Sequence, residues 1–375
     1  MKRVVAAMCL CLLLALPVAA QAEGEQLYAE QLEASGAAQL TERLPKDTAT
    51  LLEAFGDDLL QPSAYVGLRF DTVFRTLGEL LSVQRGLPLQ ALGCLLGVVL
   101  VSALFRGMEG TAQSPFLQTV FHMVAALAAA GGLLVPLLSL LEQVEKAVEQ
   151  VAVFMAGFVP IYGGILATGG VSTALSYQTT LLTAAEALTW LLHSGVFPLL
   201  TVSLAMGTTG CVADGFCLDS FSATIHKTIL WALGLFSTLF SGLLSLQQMV
   251  AAAGDTLGGR VMKFSLSSFV PVVGGLLSEA YSTVVSCSGL LRSTVGCFGM
   301  LATVLIILPP LCHCLLWSLS LHLSASAAAL FGLSSLEKLC KTAAGTIRVL
   351  IGVLAVFALL MVVSVSIVVF AARGR

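Results

Sequence analysis

From about residue 87 onward the chain is a succession of apolar runs some twenty residues long, and no other feature restricts its fold as strongly. About 20 helical residues cross a hydrocarbon layer of about 30 Å. Hydrophobic residues make up 57% and charged residues 10% of the 375. The charges left over could not coat the surface of a soluble domain of this size. The expected class is all-α: a polytopic helical membrane protein with a short exported helical N-terminal segment. Spans are expected at 87–105, 117–141, 151–170, 181–209, 228–250, 264–285, 294–312, 315–332 and 347–371.

The first residues form a targeting signal. Lys2 and Arg3 precede the apolar run 4–16, and Pro17 and Ala20-Gln21-Ala22 follow. A basic start, an apolar middle and a small-residue cleavage motif define a signal peptide over 1–22. An uncleaved anchor helix is the competing reading. Either way, residues 23–86 are exported. They carry eleven of the 21 acidic residues and only five basic ones. Pro45 and Pro62 divide this segment into short amphipathic helices, and 69–81 sets Phe70, Val73, Phe74, Leu77, Leu80 and Leu81 on one face. Such a helix suits a membrane surface, a partner or its own neighbours.

Residues 87–375 form the membrane domain. With 23–86 outside, Arg106 falls in an inner loop, Glu142, Glu145 and Glu149 outside, Asp214 and Asp219 outside, and Arg260 with Lys263 inside. Arg260 and Lys263 are therefore candidate cytoplasmic-loop contacts. The tail Arg373–Arg375 is expected inside, which requires an odd number of spans: nine with 315–332 counted, or seven without it and one interrupted segment.

One apolar run contains FVPIYGGIL at 158–166, and FVPVVGGLL recurs at 269–277, with six of nine positions identical at an offset of 111. Pro198 and Pro309 keep the same offset. Units of about 117–209 and 228–320 then each hold three apolar segments, the middle one interrupted, and an odd number makes the copies inverted. Proline removes a helical hydrogen bond, and glycines loosen the backbone. Paired interrupted segments accompany substrate paths in transporters. They also let helices approach closely without forming a path. Pro160, Gly163, Gly164, Pro271, Gly274 and Gly275 are the candidate path or helix-break positions. Both segments are expected to break or kink at Pro160 and Pro271 and to face each other.

Two runs carry a resemblance to a known family: FMAGFVPIYGGILATGG at 154–170, and the stretch from Gly254-Asp255-Thr256 through Lys263-Phe264 and FVPVVGG to SCSGLLRSTVG at 286–296. Both resemble stage III sporulation protein AE of endospore-forming bacteria. The likeness covers nearly the whole chain and is most specific over 254–299, where polar residues carry it. It implies a membrane subunit of the channel complex between mother cell and forespore, needed for forespore development. The implied partners are a secretion-type ATPase and ring-forming subunits. The implied place is the mother-cell membrane around the forespore, with 23–86 facing the space between the two membranes. No catalytic residue is carried over from the family.

The residues themselves suggest no enzyme, cofactor or nucleic-acid partner. Cys312-His313-Cys314 lacks a second ligand pair for tetrahedral coordination, so buried small apolar cysteines are the better interpretation. Cys211 and Cys217, in a loop expected outside, are compatible with a disulfide. Glu186 and Glu279 are candidate intramembrane carboxylates, each costly in hydrocarbon unless it lies at a membrane edge. His122, His193 and His313 are weaker candidates, because neutral imidazoles readily satisfy themselves on neighbouring groups. Three functions remain: a subunit of an intercellular channel complex, a transporter permease moving a small solute between two repeats, and a structural anchor. A polar cluster between the two FVPxxGG segments would favour the transporter, and dry packing there a scaffold.

Overall fold

Among the described residues, the nine expected spans resolve into six long helices. The computed structural model describes residues 25–53, 59–62, 64, 70–107, 115–168, 174–212, 218–269 and 274–373; of these, 25–27, 70–74, 106–107, 115–119, 122, 211–212, 218–219, 248, 250–269, 274–285 and 367–373 are described in backbone course only. Helix α1 is Glu25–Ala34, a 3-10 turn is Ala37–Leu40, α2 is Lys46–Glu53 and α3 is Phe70–Gln84. The long elements follow: α4 Gly86–Gly107, α5 Pro115–Thr168, α6 Ala174–Leu191 joined through a π turn Leu192–Val196 to α7 Phe197–Val212, α8 Leu218–Phe269, α9 Gly274–Leu330 and α10 Ser334–Arg373. No strand occurs among the described residues.

The merging has a local cause. Residues 142–150 are polar enough to resemble a loop, but Glu142, Gln143, Glu145, Lys146, Glu149 and Gln150 are good helix formers and no glycine or proline lies among them. Hydropathy falls there while the backbone stays helical. Arg260 and Lys263 likewise lie within α8 rather than in a loop, and their side chains fall outside the described residues.

Among the described residues, six helices are long and apolar enough to cross a membrane: Gly86–Phe105, Met123–Thr168, Ala174–Gly210, Ser220–Gln247, Ser286–Leu330 and Ser334–Ser366. The protein is a multi-pass helical membrane protein. At 1.5 Å per residue the apolar part of α5 is about 70 Å long. A hydrocarbon layer of about 30 Å and tilts up to about 40° cannot contain it. The longest helices therefore project beyond the bilayer.

Successive long helices run in alternating directions. Phe105 stacks on Phe121 with ring centroids 3.8 Å apart, while Cys94 lies beside Gly132, which sets α4 antiparallel to α5. Gln178 lies on Gly163 and His193 on Glu145, so α6 runs back along α5. His226 meets Thr346 and Leu230 meets Gly352, so α8 and α10 are parallel. The turn from α9 into α10 is closed at Gly332, whose φ of 69 is open to glycine at little cost. Leu333 N–H donates to Ala328 O and Gly332 N–H to Ala329 O, a Schellman closure that reverses the chain within three residues. Six alternating helices direct the start of α4 and the end of α10 toward the same end of the bundle. An odd span count would have separated them.

The N-terminal helices pack on the bundle rather than on themselves alone: α1, α2 and α3 contact α9, and the 3-10 turn contacts α5. Arg43 lies directly over Gly157, where a Cβ would stand 2.7 Å from a guanidinium nitrogen. The lipid-facing character of the outside is clearest on α8. There Trp231, Leu235, Leu239, Leu243 and Leu246 recur at helical spacing and are all exposed.

Candidate functional site

Polar side chains meet between the long helices at two places. The first lies around the polar stretch of α5. Glu145 and His193 Nδ1 are 2.8 Å apart, and each side chain is about one-third exposed (36% and 37%). His193 belongs to the π turn, a form that often marks functional positions. Its local cause is Pro198, whose ring lacks an N–H and must clear the carbonyl four residues back, at Ser194. Two residues before Glu145, Gln143 Oε1 lies 2.9 Å from His313 Nδ1, and Trp317 Nε1 donates to His313 Nε2 at 3.1 Å. An indole N–H can only donate, so His313 Nε2 accepts. The ring proton is then on Nδ1 and goes to Gln143.

The second place joins α7, α8 and α10. Ser203 Oγ lies 2.6 Å from Ser222 Oγ and 3.0 Å from His226 Nε2, and Thr346 Oγ1 lies 3.2 Å from the same nitrogen. All four residues are buried. Gly345 makes room for the ring, because a Cβ there would stand 2.6 Å from His226 Nδ1. These contacts hold three helices in register.

The first FVPxxGG segment lies within one continuous helix. α5 continues through Pro160, whose ring sits on the exposed side. Phe154, Phe158 and Tyr162 stack at centroid distances of 5.7 and 5.2 Å, and Tyr162 meets Tyr177 of α6 edge-on at 6.2 Å. All four are essentially fully buried. They press on glycines of α9: a Cβ on Gly299 would stand 2.4 Å from the Phe158 ring, and one on Gly296 would stand 3.0 Å from the Tyr162 hydroxyl. Gly163 is packed under Gln178, with a virtual Cβ 2.8 Å from Oε1, whereas Gly164 is exposed and has open space around it. Neither has a positive φ. Small residues here permit close helix approach.

The second segment is only partly described. Pro271 lies outside the described residues, and Gly274 and Gly275 begin α9 with only their backbone described. The side chain of Glu279 is also outside them, so the expected apposition of the two segments is not visible. Glu186 is exposed on the outer face of α6. Pro309 lies inside an unbroken α9, without the π turn that precedes its expected counterpart Pro198.

Sequence reasoning named His193 and His313 only weakly and missed Glu145, Gln143, Trp317, His226 and Thr346 as partners. The spacing of His313 and Trp317, one helical turn apart, was the one local signal. No group of three or more His, Cys, Asp or Glu side chains that could hold a metal comes together among the described residues. Cys312 and Cys314 are buried free thiols. Cys217 and the side chain of Cys211 fall outside the described residues.

Long apolar helices tied by sparse buried polar contacts define an integral membrane protein built for helix–helix association. A family model, stage III sporulation protein AE, matches residues 61–372. The chain belongs to the stage III sporulation protein AE family. Stage III sporulation protein AE of Bacillus subtilis (strain 168) is 25% identical over 314 residues, covering 77% of this chain and 78% of that protein. No solved structure matches the chain. Family membership assigns it a role in sporulation.

Proposed function

We propose that this chain is an integral membrane subunit of the channel complex between mother cell and forespore, needed for forespore development during endospore formation. Family membership across 61–372 carries this reading. It acts without catalysis, by holding other subunits at the mother-cell membrane around the forespore. Its N-terminal helices lie outside the mother-cell cytoplasm, where they are available to ring-forming subunits. The packing of Arg43 over Gly157 supports a fixed rather than a trailing N-terminal segment.

A transporter path is less well supported. Phe154, Phe158 and Tyr162 fill the space around the first FVPxxGG segment, and a solute path would need polar, hydrated walls there. The test is affinity isolation of the full-length chain from sporulating cells in mild detergent. Co-isolation of a secretion-type ATPase and ring-forming subunits is expected. Recovery of the chain alone, with those subunits intact elsewhere in the same membranes, would contradict the proposal.

A further inference from the structure

Tyr162 of α5 is 0% and Tyr177 of α6 2% exposed, and their rings meet edge-on at 6.2 Å. Neither hydroxyl has a hydrogen-bond partner among the described residues. The Tyr162 hydroxyl faces Gly296 of α9, where a Cβ would stand 3.0 Å away. Gly296 lies inside a continuous helix, so its own N–H and C=O are spent on that helix. Ser364 of α10 lies close to the Tyr177 hydroxyl, but its proton goes to Met361 O at 2.8 Å, and no hydrogen bond joins the two side chains. One turn along α6, Thr180 accepts from Gln247 Nε2 of α8 at 2.7 Å, which leaves the buried Gln247 Oε1 without a partner. Three unmet polar atoms, from α5, α6 and α8, thus lie within one turn of α6.

Leaving such atoms unpaired is costly, and native interiors rarely do it. The cost is the same whether lipid or water surrounds the bundle, because the groups are inside it. A tyrosine hydroxyl both donates and accepts, and an amide oxygen only accepts. Water meets both needs, and buried waters characteristically bond polar groups left over in this way. A cation fits less well: the three oxygens carry no charge, and the cationic Arg292 lies near Tyr162.

We infer that Tyr162 and Tyr177 form an internal water-binding site, in which bound water bonds both hydroxyls and reaches Gln247 Oε1. The water belongs to the packing of the first FVPxxGG segment rather than to a solute path, because Phe154 and Phe158 fill the adjoining turns of α5. The inference does not depend on the channel-complex reading.

Radiolytic hydroxyl-radical labelling of the full-length chain in detergent micelles tests it, because radicals form at bound water as they do in bulk. Tyr162 and Tyr177 should be oxidised within a short pulse although they are buried. Phe154 and Phe158, equally buried in the same stack, are the dry controls and should not be. Tyrosines labelled no more than these phenylalanines would mean a dry interior and overturn the inference. All four labelled alike would mean that the bundle opens, and would overturn it too.

Tyr162→Phe and Tyr177→Phe give a second readout. Removing a hydroxyl bonded to water should lower the unfolding temperature by about 2 °C, whereas removing an unpaired one should raise it. Because both hydroxyls bond the same water, the double exchange should cost little more than either alone. A rise in either single variant, or a full sum in the double, would contradict the shared site. An unfolding temperature that depends on Na⁺ or K⁺ at constant ionic strength, and loses that dependence in the Phe variants, would put a cation in place of the water and equally refute it.

Discussion

Phe158 of α5 lies so close to Gly299 of α9 that a Cβ on the glycine would stand 2.4 Å from two atoms of its ring, with Met361 of α10 closing the other side at 2.8 Å. Three long helices therefore converge on one missing methyl group. Gly299→Ala should destabilise the protein by about 1–3 kcal/mol, because phenyl and thioether must both move in a filled core. Unfolding in detergent micelles would show it. An unchanged midpoint would mean that α5 and α9 are further apart.

The paired glycines of FVPIYGGIL should separate cleanly. Gly164→Ala meets nothing and should be neutral, or slightly stabilising through helix propensity of up to about 1 kcal/mol. Gly163→Ala pushes on Gln178 and should weaken the α5–α6 contact. Equal losses at both positions would point to a shared role in a path rather than to packing.

The Glu145–His193 contact should couple the two helices modestly. Because both side chains are about one-third exposed, a double-mutant cycle with Glu145→Ala and His193→Ala should give about 0.2–1 kcal/mol. A coupling of several kcal/mol would mean that the pair is shielded by a partner or by lipid. A coupling of zero would mean that the contact does not form.

His226 should matter more, because its partners are buried. Removing the ring with His226→Leu leaves Ser203 and Thr346 without their shared acceptor or donor, at a cost of about 1–3 kcal/mol. His226→Gln, which keeps a polar end, should recover part of it. If Leu and Gln perform alike, the hydrogen bonds contribute little and the ring acts by volume.

Much of this was legible in the residues, and the remainder has identifiable physical reasons. The apolar runs define the helices, and the acidic, proline-punctuated segment before residue 87 reads as separate because its composition changes. Hydropathy could not show that 142–150 stays helical, because Glu, Gln and Lys lower hydropathy while favouring helix. Nor could it pair Glu145 with His193, 48 residues away, or His226 with Thr346, 120 away. Pro160 does not end the helix: a proline removes one hydrogen bond, and α5 continues past it, with Phe158 and Tyr162 stacked on each other.

Alternation of six helices makes a topological prediction. Cysteines placed at residue 30 and at the C-terminus should be labelled from the same side of the membrane, with the signal setting that side as the exported one. Labelling from opposite sides would require a further crossing within the long helices.

The most direct measurement is forespore development in an endospore-forming host whose copy of this chain is deleted. Development should stop after engulfment and be restored by the full-length chain, but not by a chain truncated before α9 that still reaches the membrane. Heat-resistant spores at normal frequency in the deletion strain would contradict the proposed function.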